Sequence, residues 1–129
     1  MDQNGDVLVV EDDATINSLI GAYIELAGLS YRSALDGASA LSQIREKIPQ
    51  LIVLDVMLPD TDGFEVCRRL KQELGLSDVP VVMLTALADD ASREQGLKCG
   101  ASIYMNKPFD PDRFLAIVKQ YATKVGRFA

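Results

Sequence analysis

Short strand-like runs alternate along the chain with stretches whose apolar residues recur at helical spacing. Apolar and β-branched residues dominate most of the short runs, which are bounded by polar, glycine or proline residues. These runs predict five strands, at Leu8–Val10, Ser30–Ala34, Leu51–Leu54, Val79–Leu84 and Ser102–Met105. A stretch of helical spacing follows each run, so the pattern predicts one helix after every strand.

The boundaries of the predicted helices carry recognisable end signals. Asp36 is placed to cap the second helix, whose apolar stripe runs to Ile48 before Pro49. Asp89 or Asp90 can cap the fourth helix, and Asp110 followed by Pro111 can begin the fifth. The apolar stripe of the fifth helix consists of Phe114, Ile117, Val118, Tyr121 and Val125.

Five alternating strands and helices predict an α/β fold, with a doubly wound parallel sheet covered by helices on both faces. The 129 residues are about one domain's worth, with no repeat and no linker. We therefore expect one domain over residues 1–129, with residues 1–5 as a flexible lead. In such a sheet, ligands bind beyond the carboxyl ends of the strands, so chemistry is expected at that edge.

Composition narrows the classes of function. The formal net charge of −6 argues against direct binding to nucleic acid or to an anionic membrane. No apolar run is long enough to cross a bilayer, and the first residues do not resemble a signal peptide, so a cytoplasmic protein is expected. Histidine is absent, which excludes zinc sites built on histidine and Ser-His-Asp triads. Two cysteines without a CxxC pair do not form a disulfide framework.

An acidic cluster follows the first strand, at Glu11, Asp12 and Asp13. These residues could simply favour the start of the first helix, because a helix N-terminus attracts negative charge. Asp55, at the end of the third strand, should lie at the same sheet edge and favours a metal site instead. Oxygen ligands without histidine or cysteine suit a hard cation, and Mg²⁺ fits best because it needs few carboxylates.

Asp55 itself ends a buried apolar run, so the strand should hold its carboxylate rigidly at the edge of the sheet. A carboxylate oxygen can attack phosphorus and form an acyl phosphate. The charge of the transferred group would be stabilised by a metal, by Lys107 after the fifth strand and by Thr85 after the fourth. Lys107 could pair with Asp55 before transfer and with a phosphoryl oxygen after it.

The ordered set of motifs resembles the receiver domain of bacterial two-component response regulators. The motifs are Val9-Val-Glu-Asp-Asp13, Leu54-Asp-Val-Met-Leu-Pro59, Asp62-Gly63, Leu84-Thr-Ala86 and Lys107-Pro-Phe109. The resemblance covers the chain from Val7 to about Lys124. It implies a flavodoxin-like fold with strand order 2-1-3-4-5 and five helices on two faces, as in the chemotaxis regulator.

The resemblance also implies roles for individual residues. Asp55 corresponds to the phosphoacceptor, Asp12 to a direct Mg²⁺ ligand and Glu11 to an acidic partner that acts through water. Met57 would supply a backbone carbonyl to the metal. Thr85 corresponds to the switch hydroxyl, Tyr104 to the switch aromatic that moves with it, and Lys107 to the lysine that pairs with the phosphoryl group.

The implied function is a phosphoacceptor switch without substrate turnover beyond its own phosphorylation and dephosphorylation. A histidine kinase or a histidine phosphotransfer protein would donate the phosphoryl group. A downstream protein or output domain would read the face formed by helix 4, strand 5 and helix 5, and a phosphorylation-dependent homodimer is a further expectation. The segment Ala101-Ser-Ile-Tyr104 lacks the acidic pair that winged-helix regulators carry there, which argues against their type of dimer.

Two alternatives stay open from the residues. The spacing of Glu11-Asp-Asp-Ala-Thr15 resembles the DxDxT motif of phosphohydrolases with an aspartate nucleophile, although glutamate occupies the nucleophile position. A receiver-like binding module that works without phosphorylation is the second alternative. The presence of all the key chemical residues argues against it.

Overall fold

A five-stranded parallel sheet forms the centre of the molecule, with the second strand of the chain at one edge, followed by the first, third, fourth and fifth. The computed structural model describes residues 6–122. The strands are β1 (Asp6–Val10), β2 (Ser30–Ala34), β3 (Leu51–Leu54), β4 (Val81–Thr85) and β5 (Ile103–Asn106). This topology confirms the predicted doubly wound α/β fold and its strand order.

A helix follows each strand. The helices are α1 (Ala14–Leu26), α2 (Gly37–Glu46), α3 (Gly63–Arg68), α4 (Asp90–Lys98) and α5 (Pro111–Ala122), and α3 continues into a short π-helical segment, Arg69–Glu73. Within residues 6–122, no helix is both long enough and apolar enough to cross a bilayer.

Two apolar layers lie on opposite faces of the sheet. One layer is built on Ile20 and Ile24 of α1 with Phe114 and Val118 of α5. The other contains Leu41 and Ile44 of α2 and Leu70 after α3, and Tyr104 packs into it from β5. Because β1, β3 and β4 are covered on both faces, every residue of these strands is buried. This is the physical reason for the uninterrupted apolar runs.

Four aspartates begin helices in the same way. Asp13, Asp36, Asp62 and Asp89 each accept a hydrogen bond from the backbone N–H three residues later. Such a cap satisfies an N–H group that has no partner within the helix. The caps predicted at Asp36 and at Asp89 are therefore confirmed.

The prediction that Ile48 belongs to the apolar stripe of α2 is wrong. The helix ends at Glu46, and the Ile48 side chain is 53% exposed. Proline disfavours helical backbone at the residue before it, so Pro49 excludes Ile48 from the helix. Arg32 also donates from its guanidinium to the carbonyls of Gln43 and Lys47 and so binds the end of the helix, where the Lys47 carbonyl lies beyond the last helical residue.

Smaller differences concern the ends of β4 and β5. β4 begins at Val81 rather than Val79, since Pro80 has no N–H to donate to the sheet and lies just before the strand. β5 runs to Asn106 rather than Met105 because Asn106 pairs in register with Thr85. The predicted flexible lead at residues 1–5 and the predicted stripe residue Val125 lie outside the described residues.

Asn17 fixes α1 to the carboxyl ends of β1 and β2. Its amide is buried and donates to the carbonyls of Val9 (3.3 Å), Glu11 (3.0 Å) and Ala34 (3.2 Å). Its own oxygen accepts a hydrogen bond from the Ser33 hydroxyl at 2.6 Å. These bonds hold the segment that carries Glu11 against the sheet.

Replacing Asn17 with alanine should therefore destabilise the fold. The substitution removes the amide donor of these buried carbonyls and the acceptor of the Ser33 hydroxyl, which costs about 1–3 kcal/mol of the free energy of unfolding. Urea denaturation measures this loss, and Ser18→Ala at the adjacent exposed position serves as the control. Equal stability of the two variants would contradict the assigned role.

Candidate functional site

The residues that the sequence singles out meet at the carboxyl edge of the sheet. Glu11 and Asp12 follow β1, Asp55 follows β3, Thr85 ends β4 and Lys107 follows β5. Parallel strands that lie side by side bring these chain positions together even where they are far apart in sequence. The predicted meeting of these strand ends is therefore confirmed.

Three carboxylates form the acidic part of the site. Glu11, Asp12 and Asp55 each place one oxygen so that the three atoms lie within 4.8 Å of one another. Glu11 and Asp55 are buried, whereas Asp12 is exposed. Their oxygen-only donor set and the open side at Asp12 fit a hard divalent cation that keeps part of its water, as Mg²⁺ does.

Lys107 bridges the two buried carboxylates. Its Nζ lies 3.0 Å from Asp55 Oδ2 and also donates to Glu11 Oε1. Burial alone would lower the pKa of Lys107, but the hydrogen bonds to Glu11 and Asp55 outweigh that effect and the pKa is raised. The ammonium group therefore stays charged and donates to both carboxylates.

Burial and charged neighbours also change the pKa of the Glu11 carboxyl. Burial raises the pKa of its carboxyl, and the nearby charge of Asp55 adds to the increase. Hydrogen bonds from Lys107 and from the Asp13 backbone N–H offset only part of it. Additional positive charge at this edge would favour the ionised form of Glu11, which is a second reason why a cation fits here.

The loop after β3 closes tightly behind Asp55. Asp55 Oδ1 accepts from the Met57 N–H at 3.1 Å, and Met57 pairs with Asp62 across the loop as an antiparallel bridge. The Gly63 N–H donates to the Val56 carbonyl at 2.8 Å. A Cβ atom at Gly63 would lie 2.5 Å from the Asp55 carbonyl oxygen, so this close approach requires glycine.

Thr85 and Tyr104 meet through the backbone of Leu87. The Thr85 hydroxyl is fully buried and accepts from the Leu87 N–H at 3.3 Å. The Tyr104 hydroxyl donates to the Leu87 carbonyl at 2.8 Å, and its ring is buried. A Cβ at Gly96 of α4 would lie 2.8 Å from that ring, so glycine makes room for the inward position of the tyrosine.

Two further polar residues of this region were not predicted to have a role. Asp60 accepts from the backbone N–H groups of Gly37 and Ala38, both at 2.9 Å, and so ties the loop after β3 to the start of α2. Asn106 donates to the carbonyls of Thr85 and Leu87. Both act on backbone groups far away in sequence, which composition and spacing do not reveal.

Comparison with known proteins agrees with this arrangement. Residues 7–119 match the family model described as the response regulator receiver domain. The chain belongs to this receiver domain family. Receiver domains are signalling domains of two-component systems, and the acidic cluster of this one is compatible with Mg²⁺.

Curated relatives of this receiver domain are transcriptional regulators. It is 42% identical over 120 residues to the transcriptional regulatory protein GltR of Pseudomonas aeruginosa, and the match covers 92% of this chain and 50% of GltR. It is 39% identical over 121 residues to the DNA-binding dual master transcriptional regulator RpaA of Synechocystis, with 94% of this chain and 50% of RpaA covered. The chain thus spans about half the length of these relatives.

A solved receiver domain shows the same architecture. The BeF₃-activated N-terminal receiver domain of RstA from Klebsiella pneumoniae superposes with a TM-score of 0.83 at 33% sequence identity. The superposition covers 91% of this chain and 97% of the RstA chain. The fold and its elements are therefore those of a receiver domain throughout.

Asp60 generates a prediction for the dependence of stability on pH. Hydrogen bonds from Gly37 and Ala38 lower the pKa of the Asp60 carboxyl. A carboxyl whose pKa is lower in the folded state than in the unfolded state stabilises the fold at any pH above its unfolded pKa of about 4. This contribution disappears as the pH falls through the folded-state pKa. Asp60→Asn should therefore be less stable than the wild type at pH 7, with a difference that shrinks below pH ~4.

Urea unfolding between neutral and acidic pH measures this difference directly. The control is Glu94→Gln, which removes an exposed carboxylate from α4 and should leave the pH profile unchanged. A stability difference between wild type and Asp60→Asn that stays constant across the pH range would contradict the assigned tie.

Proposed function

We propose that this receiver domain, as a single unit over residues 1–129, is a phosphoacceptor switch in which Asp55 receives the phosphoryl group. The observation that carries the proposal is the position of Asp55. Its backbone follows a fully buried strand, its Oδ2 lies 3.0 Å from Lys107 Nζ, and Thr85 ends the neighbouring strand. A carboxylate held this rigidly beside a cation and a hydroxyl is suited to accept phosphorus.

The chemical step forms one bond and breaks one bond. An Asp55 oxygen attacks the phosphorus of a phosphohistidine on a histidine kinase or phosphotransfer protein. The P–N bond breaks, its electron pair stays on the imidazole nitrogen, and an acyl phosphate forms at Asp55. Lys107 then pairs with a phosphoryl oxygen, and the Thr85 hydroxyl donates to another.

Mg²⁺ is the cofactor that this proposal includes. Asp12 and Asp55 would bind the ion directly, Glu11 would act through a water molecule, and Met57 would contribute its backbone carbonyl. When bound, the ion supplies positive charge that offsets the repulsion between the carboxylates and the phosphoryl oxygens. Lys107 keeps its own role at the other side of Asp55, where it orients the acceptor carboxylate.

Signal output would use the face formed by α4, β5 and α5. Thr85 and Tyr104 both contact Leu87, so a movement at the phosphoryl group reaches α4 and β5. The face made by α4, β5 and α5 contains a cavity of about 330 Å³, lined in part by Arg93, Asn106 and Arg113. A downstream protein or an output domain would read this face, and the phosphorylation-dependent homodimer stays a prediction.

The output domain of the whole protein is also a proposal. GltR and RpaA are transcriptional regulators twice as long as the matched segment, so a DNA-binding output domain beside this receiver is consistent with them. The acidic receiver itself would not contact nucleic acid, and its work would take place in the cytoplasm.

The phosphohydrolase alternative fits the geometry poorly. Glu11 occupies the nucleophile position of that motif, and its carboxylate is committed to Lys107 and to the Asp13 N–H. Asp13, at the second acidic position, caps α1 through the Ile16 N–H. We infer a signalling domain that catalyses only the formation and loss of its own phosphoryl group.

Acetyl phosphate with Mg²⁺ tests the proposal on the purified protein. Intact mass spectrometry should show one phosphoryl adduct on the wild type, and none after Mg²⁺ is removed by a chelator. Asp55→Asn should abolish the adduct because it removes the nucleophilic oxygen. The matched control is Asp36→Asn, which changes a helix-capping aspartate and should keep the adduct.

An undiminished adduct on Asp55→Asn would refute the assignment of the acceptor. If the wild type gives no adduct, the same assay with a phosphohistidine donor decides. Absence of the adduct there as well would refute the proposed function.

A further inference from the structure

The backbone of Leu87 contacts three side chains through its N–H and its C=O, which belong to two successive peptide groups. Its N–H donates to the Thr85 hydroxyl at 3.3 Å. Its carbonyl accepts two hydrogen bonds, from the Tyr104 hydroxyl and from Asn106 Nδ2, each at 2.8 Å. A carbonyl oxygen has two lone pairs, so these two donors together satisfy it fully.

Asn106 is placed to make this contact by the register of the sheet. It ends β5 directly opposite Thr85 of β4, and its amide donates to the Thr85 carbonyl at 3.3 Å as well as to Leu87. Both partners are carbonyls, so only the NH₂ end of the amide can face them. The Asn106 side chain therefore binds both Thr85 and Leu87, at the start of the segment that joins β4 to α4.

The hydrogen bonds of Asn106 also affect the Thr85 hydroxyl, because that hydroxyl accepts from the Leu87 N–H. Accepting from the Leu87 N–H uses one lone pair of that oxygen and leaves its hydrogen available for a new acceptor. As long as the Leu87 backbone stays in place, its N–H keeps this hydrogen bond to the hydroxyl at the end of β4, beside the strand that leads to Asp55. The hydroxyl of the inward Tyr104 bonds to the carbonyl of the same residue, Leu87.

We propose that Asn106 is a positioning residue that, together with Tyr104, fixes the Leu87 carbonyl and so holds the Leu87 backbone where its N–H prepares Thr85 to donate to a phosphoryl oxygen. The inference rests on the proposed function and adds a residue to it. Asn106 touches no reacting group, so its effect passes through Leu87 and Thr85. Its loss would leave the Leu87 carbonyl with one donor, and the segment would populate other orientations.

The consequence is a change in affinity for a phosphoryl analogue. A segment that is already ordered loses less freedom when the analogue binds, whereas a loosened one must first recover the competent orientation. One hydrogen bond of this kind corresponds to a roughly threefold to tenfold change in an equilibrium constant. Beryllium trifluoride is the suitable probe because it mimics a phosphoryl group on a carboxylate.

The first experiment titrates the wild type and Asn106→Val with beryllium fluoride in the presence of Mg²⁺. Valine suits a strand end and lacks any donor, so we expect binding about threefold to tenfold weaker than in the wild type. Gln95→Leu is the matched control, because it removes an exposed amide from α4 and should bind as the wild type does.

The second experiment reads the tyrosine without any phosphoryl analogue. Fluorine NMR of protein labelled with 3-fluorotyrosine should show Tyr104 in one environment in the wild type and exchanging in Asn106→Val. A double variant with Tyr104→Phe should show non-additive weakening of beryllium fluoride binding, because both donors act on the same carbonyl.

The outcomes separate the inference from the proposed function. Equal affinity of Asn106→Val and wild type, or additive effects in the double variant, would overturn the role of Asn106. If the wild type binds no analogue and forms no phosphoryl adduct, the proposed function fails. In that case the role of Asn106 is still tested separately, because an unchanged Tyr104 spectrum in Asn106→Val would overturn it. If Asn106→Val does not fold, Asn106→Ala is judged by the same criteria.

Discussion

The structure depends on one electrostatic constraint, the presence of two buried carboxylates at one edge of the sheet. Glu11 and Asp55 are brought together by strands that lie side by side, and neither has much access to water. Lys107, which follows the last strand of the sheet, pairs with both carboxylates. Removing that ammonium group would leave two like charges buried without a counter-charge, with only backbone N–H groups to bind them, and the loss of one partner of a buried ion pair strongly destabilises a fold.

This constraint explains why the site has a rigid part and an adjustable part. The buried strands and the Asn17 amide fix Glu11 and Asp55, and glycine at position 63 lets the loop close directly behind Asp55. The segment after β4 is held differently, by a few hydrogen bonds centred on Leu87. A site in which the Asp55 carboxylate is held rigidly and the segment after β4 is lightly held suits the proposed switch between two arrangements.

Sequence reasoning reached the parts of the site that follow from periodicity. The apolar run Leu51–Leu54 predicted a buried strand ending at Asp55, and the end of each neighbouring strand followed from the same alternation. The helix end at Ile48 was wrong because the effect of Pro49 on the preceding residue outweighs the apolar spacing. Asn17, Asp60 and Asn106 could not be predicted, since each binds backbone groups that only the tertiary fold brings near.

The most direct test of the central claim locates the transferred group on the chain. An acyl phosphate is reduced by borohydride to an alcohol, so a phosphorylated aspartate becomes homoserine and its peptide loses mass in a defined way. After phosphorylation of the wild type, peptide sequencing by mass spectrometry should find homoserine at position 55. Homoserine at position 12 or 13 instead, or aspartate retained at position 55 in protein that carries the phosphoryl group, would contradict the account.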